Sequence, residues 1–324
     1  MHSSSDQYLL RSRILFLLPL LLGSGAVCAD DAALEAYPGY SGHYPGFSLV
    51  LDERFDVFDT SVWEVGDGAV GSESMCRFHD EGVRVRDGAL ELVIERMHIP
   101  SGWSDNHQMI KKAYDYICGE VRTQRALRIR YGRIEARMRA PDRRTASGYI
   151  ASLFTYVNEG NEHFGREWEE IDIELEGGRP DAFQANLIYG VDAPGWGHTR
   201  RYGAWEDKID TGPVDRWRIF AIEWLPDRIS WYVDGKLLKT LTAADIDCVP
   251  ACVPPQEAST PIPDDPADVM INFWIPNDEI QDAFGGNKGR NEYPMRTRYD
   301  WLRIYQYDAQ PLENWSARNR QRSR

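Results

Sequence analysis

Trp168-Glu169-Glu170-Ile171-Asp172-Ile173-Glu174-Leu175-Glu176 alternates acidic and aliphatic residues with a period of two. Successive side chains of an extended strand point to opposite faces. Ile171, Ile173 and Leu175 therefore face a core, and Glu170, Asp172, Glu174 and Glu176 share the other face. The same period recurs outward from this stretch. Val83-Arg84-Val85 is followed by Asp87-Gly88 and then by Ala89 to Ile94, and a longer alternation runs from Leu127 to Met138. Phe220 to Trp224, Ile229 to Val233 and Trp301 to Tyr307 continue it, with Asp234-Gly235 as a hairpin signal. No long segment has a helical period, and no internal repeat is visible. Half-buried antiparallel strands separated by turn residues predict an all-β fold of two packed sheets, a sandwich or jelly roll. A cleft on the concave face of such a sandwich could hold a linear polymer.

The row of acids is costly, because like charges on neighbouring positions repel. Glycoside hydrolysis with retention uses two carboxyl groups about 5–5.5 Å apart, one ionised to attack and one protonated to donate. Cα atoms four residues apart on a strand lie roughly 13 Å apart. Two glutamates can close that gap by leaning together, where aspartates would be too short. Asp172 sits between Glu170 and Glu174 and can hydrogen-bond either. Repulsion among the three raises at least one pKa and keeps a proton on the acid catalyst near neutral pH.

The ends of the chain speak to compartment. Arg11 and Arg13 precede the apolar run Ile14 to Leu22, and small residues lead to Val27-Cys28-Ala29. This is the order of a secretory signal peptide, residues 1–29, cleaved after Ala29. The apolar run is shorter than the about 20 residues that span a bilayer, so no stable membrane insertion is expected. The bulk of Val27 disfavours lipid attachment through Cys28. Residues 30–46, rich in Gly, Pro and Tyr, read as a leader, residues 47–308 as one catalytic domain, and residues 309–324 as a polar Arg-rich tail without apolar periodicity. Cleavage leaves Cys76, Cys118, Cys248 and Cys252, an even number that reads as disulfides with three possible connectivities. Their spacing does not suit zinc. The formal net charge of -14 argues against nucleic acid as a partner.

The Glu-Ile-Asp-Ile-Glu core resembles the signature of glycoside hydrolase family 16, in the regular-strand form of bacterial licheninases. Gly148 to Tyr156 is similar to the strand before that signature. Glu223-Trp224-Leu225-Pro226, Trp231-Tyr232-Val233-Asp234-Gly235, Met270-Ile271-Asn272-Phe273-Trp274 and Tyr299-Asp300-Trp301 are similar to the strands after it. The resemblance implies a concanavalin-like β-jelly roll and a retaining endo-β-glucanase acting on a β-1,3-1,4-type glucan or a related exopolysaccharide. It implies Glu170 as nucleophile, Asp172 as auxiliary acid and Glu174 as acid/base. It further implies sugar contacts by Trp168, Glu120, Arg122, Gln184, Asn186 and Trp274. The Cys76 and Cys118 positions look like the licheninase disulfide, and the favoured second pair is the short Cys248–Cys252 loop.

No cofactor is required by this chemistry. Family members often hold a structural calcium, for which Asp300 is the candidate ligand. The expected partner is the polysaccharide, with the chain acting as a monomer in the periplasm or outside the cell. Leu187 and Ile188 stand where licheninases carry tyrosines, and the Pro- and Asp-rich insertion from Cys248 also departs from them. A transglycosylase of the same fold and a non-catalytic lectin-like sandwich are the rival readings. Neither a Gly-x-Ser-x-Gly elbow nor a zinc-protease motif is present.

Overall fold

The computed structural model describes residues 34–69, 74–103, 109–110, 112–161, 165–192, 199–246, 262–281 and 285–309. The signal peptide, Cys28, Cys248, Cys252 and residues 310–324 lie outside the described residues.

Two antiparallel sheets form the domain. The first has the spatial order Trp63–Val65, Tyr114–Thr123, Asp268–Trp274, Ile150–Asn161, Gly165–Glu176, Ala182–Asp192 and Thr199–Asp210. The second runs from Lys236–Thr242 through Arg228–Val233, Arg218–Leu225 and Gly132–Arg139 to the long strand Met295–Tyr307. On its far side, Met295–Tyr307 pairs with Leu90–Ile99 at one end and Phe47–Glu53 at the other. Leu90–Ile99 then pairs through Glu95 to Ile99 with Tyr114–Thr123, which joins the sheets along one edge. The all-β expectation holds.

The core lies between the sheets and is strongly aromatic. Trp63, Trp224, Trp231, Phe183, Phe220 and Phe273 are each buried almost completely. Phe183 and Phe220 meet edge to face with centroids 5.9 Å apart, and Trp205 lies 5.2 Å from Trp231. Such pairs add about 0.5–1.5 kcal/mol beyond the burial of their area. Asp87-Gly88 and Asp234-Gly235 make the expected two-residue turns, with positive φ at all four residues.

The alternation from Leu127 to Met138 is not one strand. A short 3-10 turn occupies Arg125–Leu127, Ile129 makes an isolated bridge to Ala267, and the strand proper is Gly132–Arg139. Tyr131 has a φ of 55°, which breaks the extended chain. A Cβ on Gly132 would lie 2.2 Å from the Tyr305 carbonyl oxygen, so the strand starts where only glycine allows that approach.

The later part of the leader packs on the outer face of the second sheet. The hydroxyls of Tyr40, Tyr44 and Tyr305 all donate to the fully buried Glu135 carboxylate, Tyr44 at 2.7 Å and Tyr305 at 3.1 Å. Arg133 supplies the countercharge at 3.2 Å and lies 4.1 Å from the Tyr44 ring centre.

Cys76 and Cys118 are bonded, with Cα atoms 5.8 Å apart. The bond holds residues 74–78 against the strand Tyr114–Thr123, and Arg77–Phe78 pairs with Ile117 and Cys118 in parallel. It closes a loop of 42 residues in sequence. A Cys76→Ser/Cys118→Ser protein should therefore lose about 2–5 kcal/mol of stability in urea unfolding without reductant. Coincident unfolding curves for the two proteins would show that the bond constrains nothing.

Candidate active site

The strand Gly165–Glu176 lies inside the first sheet, hydrogen-bonded on both edges. Ile171, Ile173 and Leu175 are wholly buried in the core. That leaves Glu170, Asp172, Glu174 and Glu176 on the outer face, as the alternation requires. Register then fixes their neighbours. Tyr156 and Ile188 flank Glu170, Phe154 and Asn186 flank Asp172, and Ser152 and Gln184 flank Glu174. Trp231 reaches across from the second sheet, and its Nε1 donates to the Asp172 carbonyl at 2.9 Å. The backbone beneath the acids is thus tied to the opposite sheet.

The acids are not equivalent. Glu170 is half-buried and accepts from Trp168 Nε1 at 2.6 Å on Oε2. Burial pushes the Asp172 carboxyl well above the ordinary carboxylate range, and the charges of Glu170 and Glu174 push the same way. A side-chain hydrogen bond with Glu170 raises it further, while Asn186 opposes the rise. Glu174 is likewise raised well above its ordinary value, by burial first and then by Glu170 and Glu176, with Lys208 opposing. Gln184 Nε2 donates to Glu174 Oε2 at 3.4 Å, and Lys208 Nζ lies 3.1 Å from Glu176. The face therefore pairs a Glu174 carboxyl whose pKa is raised with a Glu170 that accepts from the Trp168 indole. This division is what general acid and nucleophile roles need.

The remaining candidates fall into two groups. Glu120 faces the site in the same cross-sheet row as Asn272, Ser152, Glu174 and Gln184. Burial raises its pKa to about 7, with the Glu170 charge adding and the Asn272 hydrogen bond and Arg122 opposing. Gln184 and Asn186 flank the acids as the resemblance implies. Trp168 is half-buried beside Glu170, 6.3 Å from the Tyr156 ring. Arg122 lies further out and pairs with Glu64 at 2.6 Å. Trp274 shares the outer face by register, but it is only 8% exposed and belongs to the apolar cluster. At that end of the face Gly285 lies so close to Pro276 that a Cβ on it would come within 2.5 Å of the proline ring.

Asp300 is on the second sheet, where Arg137 Nη1 holds it at 2.8 Å. A guanidinium in that position repels a cation, and no group of three or more His, Cys, Asp or Glu forms a metal cluster among the described residues. These residues do not fit a calcium site at Asp300. Sequence reading gave no role to Tyr156, Ser152, Asn272 or Lys208. The first three lie in the quoted motif strands at outward positions, so alternation could have found them. Lys208 sits on a strand that had not been read.

The family model for glycosyl hydrolases family 16 matches residues 71–302. A β-glucanase of Paenibacillus macerans is 29% identical over 259 residues, covering 78% of this chain and 87% of that protein. A β-glucanase of Acetivibrio thermocellus is 28% identical over 252 residues, with 78% of this chain but only 61% of the longer relative covered. The solved Bacillus licheniformis β-glucanase matches 81% of this chain and 99% of its own, with a TM-score of 0.55 and 24% identity, a likeness of fold. The two-sheet architecture, the outward row of acids and the length of the family match agree, and this chain belongs to glycosyl hydrolases family 16.

Proposed function

We propose that the chain is an exported, retaining endo-β-glucanase that cleaves a β-1,3-1,4-type glucan or a related exopolysaccharide by double displacement. The observation that carries this reading is the placement of Glu170, Asp172 and Glu174 on one strand face, with Asp172 and Glu174 buried and Glu170 more open. In the first step a Glu170 oxygen attacks the anomeric carbon while the Glu174 carboxyl protonates the departing glycosidic oxygen. Asp172 and Trp168 donate hydrogen bonds to Glu170 and hold its carboxylate in place. The second step reverses the roles: ionised Glu174 takes a proton from water, the hydroxyl adds to the anomeric carbon, and Glu170 leaves. Two inversions give net retention. Phe154, Tyr156 and Trp168 form an aromatic strip beside the acids, suited to the apolar faces of sugar rings. The names of the β-glucanase relatives support the substrate class, and Ile188 beside Glu170 marks where this chain departs from the licheninase pattern. Export rests on the order of Arg11, Arg13, the apolar run and Ala29, and the Cys76–Cys118 bond suits an oxidising compartment.

Removing each glutamate separates the roles. Glu170→Ala should stop polymer hydrolysis, and azide should restore turnover of an activated glycoside with inverted product, because the anion enters from the vacated side. Glu174→Ala should still form the glycosyl-enzyme from a substrate with a good leaving group, and azide should then give retained product. NMR of the rescued products reads both. Retention for Glu170→Ala and inversion for Glu174→Ala would reverse the assignment.

The alkaline limb of kcat/KM is set by loss of the Glu174 proton. Glu176 raises the Glu174 pKa and Lys208 lowers it. Glu176→Gln removes the first influence and frees Lys208 from its carboxylate, and both changes favour ionised Glu174. The limb should move to lower pH, by up to about one unit. A pH profile with its alkaline limb unmoved or moved upward would contradict this.

A further inference from the structure

The sheet opposite the acidic strand carries a second pocket, built from arginines. Across three adjacent strands Glu91, Arg298 and Arg139 stand in one row. Their neighbours Leu90, Tyr299 and Met138 belong to the core, so the row points away from it. The segments after Arg139 and before Arg218 flank it and leave an open cavity of about 690 Å³.

Six guanidinium groups line this cavity, from Arg139, Arg143, Arg144, Arg216, Arg296 and Arg298, against the carboxylates of Glu91, Asp142 and Asp215. Internal pairing uses part of that charge. Asp142 holds Arg144 at 2.5 Å, and Arg143 bridges Asp215 at 2.9 Å and Asp181 at 3.1 Å. Arg296 and Arg298 share Glu91, at 3.3 and 3.8 Å, and Arg298 also lies 3.8 Å from the exposed Asp87. The buried Nε of Arg298 has no hydrogen-bond acceptor. Arg139 and Arg216 have no carboxylate partner among the described residues, and Arg139 rests instead 4.8 Å from the Trp217 ring. Burial first, then Arg298 and Arg137, lower the pKa of Arg139, with Glu91 opposing.

We propose that this pocket is an anion-binding site for the carboxylate groups of an acidic polysaccharide, separate from the face that carries Glu170 and Glu174. Guanidinium groups form a planar fork that matches a carboxylate with two parallel hydrogen bonds. Ala140, Pro141 and Pro213 supply apolar wall for the body of a sugar ring. The volume is that of a small-ligand site, which is about 300–1,000 Å³. A net charge of -14 repels a polymer as densely charged as nucleic acid, with a charge every ~1.7 Å. A glycan with one carboxylate per sugar or fewer meets far less repulsion and can place its charge in the pocket. The site would anchor the enzyme to an acidic matrix, and it stands whether or not the hydrolytic reading holds.

The test is affinity electrophoresis of the full chain carrying Glu170→Ala, in gels cast with polygalacturonate or with neutral lichenan. Polygalacturonate should retard the protein, less so as salt rises. Adding Arg139→Gln and Arg216→Glu should weaken that retardation by about tenfold or more per arginine. The melting temperature should stay unchanged, and retardation in lichenan should not differ between the two proteins. Equal retardation of both proteins by polygalacturonate overturns the proposal. So does a parent that polygalacturonate does not retard, including the case where inorganic phosphate alone stabilises it through these arginines, which would mark a small-anion site. Failure of lichenan to retard either protein counts against the glucanase reading alone.

Discussion

Burial of Ile171, Ile173 and Leu175 under the first sheet fixes the register on which the rest of the site depends. Each aliphatic side chain removed from water contributes about 1.5–3 kcal/mol. A slip of one residue would send all three into solvent and drive Glu170, Asp172 and Glu174 into the core. Pairing on both edges and the Trp231 bond to the Asp172 carbonyl tighten the same constraint. The acids are therefore held together by apolar packing on the other side of their own strand. Their mutual repulsion is contained there and shows itself as raised pKa values.

Containment also differentiates chemically similar groups. Asp172 and Glu174 are buried, and burial is the first cause of their raised pKa values. Glu170 is more open and accepts a hydrogen bond from Trp168. A proton on Asp172 lets it donate to Glu170 without placing a second charge beside it. Glu120, raised to about 7, extends the same electrostatics along its row toward Asn272. Lys208 and Glu176 work against one another at the Glu174 end, and their ion pair moderates the proton affinity of Glu174.

The period-two pattern made the sandwich and the acidic face legible, because strand geometry is local and its consequences follow from alternation alone. Resemblance added the roles of the acids and the Cys76–Cys118 pairing, and the structure bears out the pairing. What stayed hidden depends on contacts between distant segments. Nothing near Trp231 announces that its indole ties down a strand 59 positions away. Resemblance counted Trp274 among the sugar contacts but could not show the burial that leaves it 8% exposed. The alternation from Leu127 carried no sign of the left-handed Tyr131 that delays the strand. Arg139, Arg216 and Arg298 come from separate segments, so their basic pocket emerges only once the second sheet is assembled.

Burial and the charge of neighbouring Glu170 raise the pKa of Glu174 well above its ordinary value. Carboxyl carbon NMR of protein labelled with 13C-glutamate, assigned by comparison with Glu174→Gln, measures it directly. The account predicts that Glu174 titrates well above the usual glutamate value of about 4.3. In Glu170→Gln, which removes the neighbouring charge, its midpoint should fall. A Glu174 signal titrating in the ordinary range, or one unmoved by Glu170→Gln, would contradict the account.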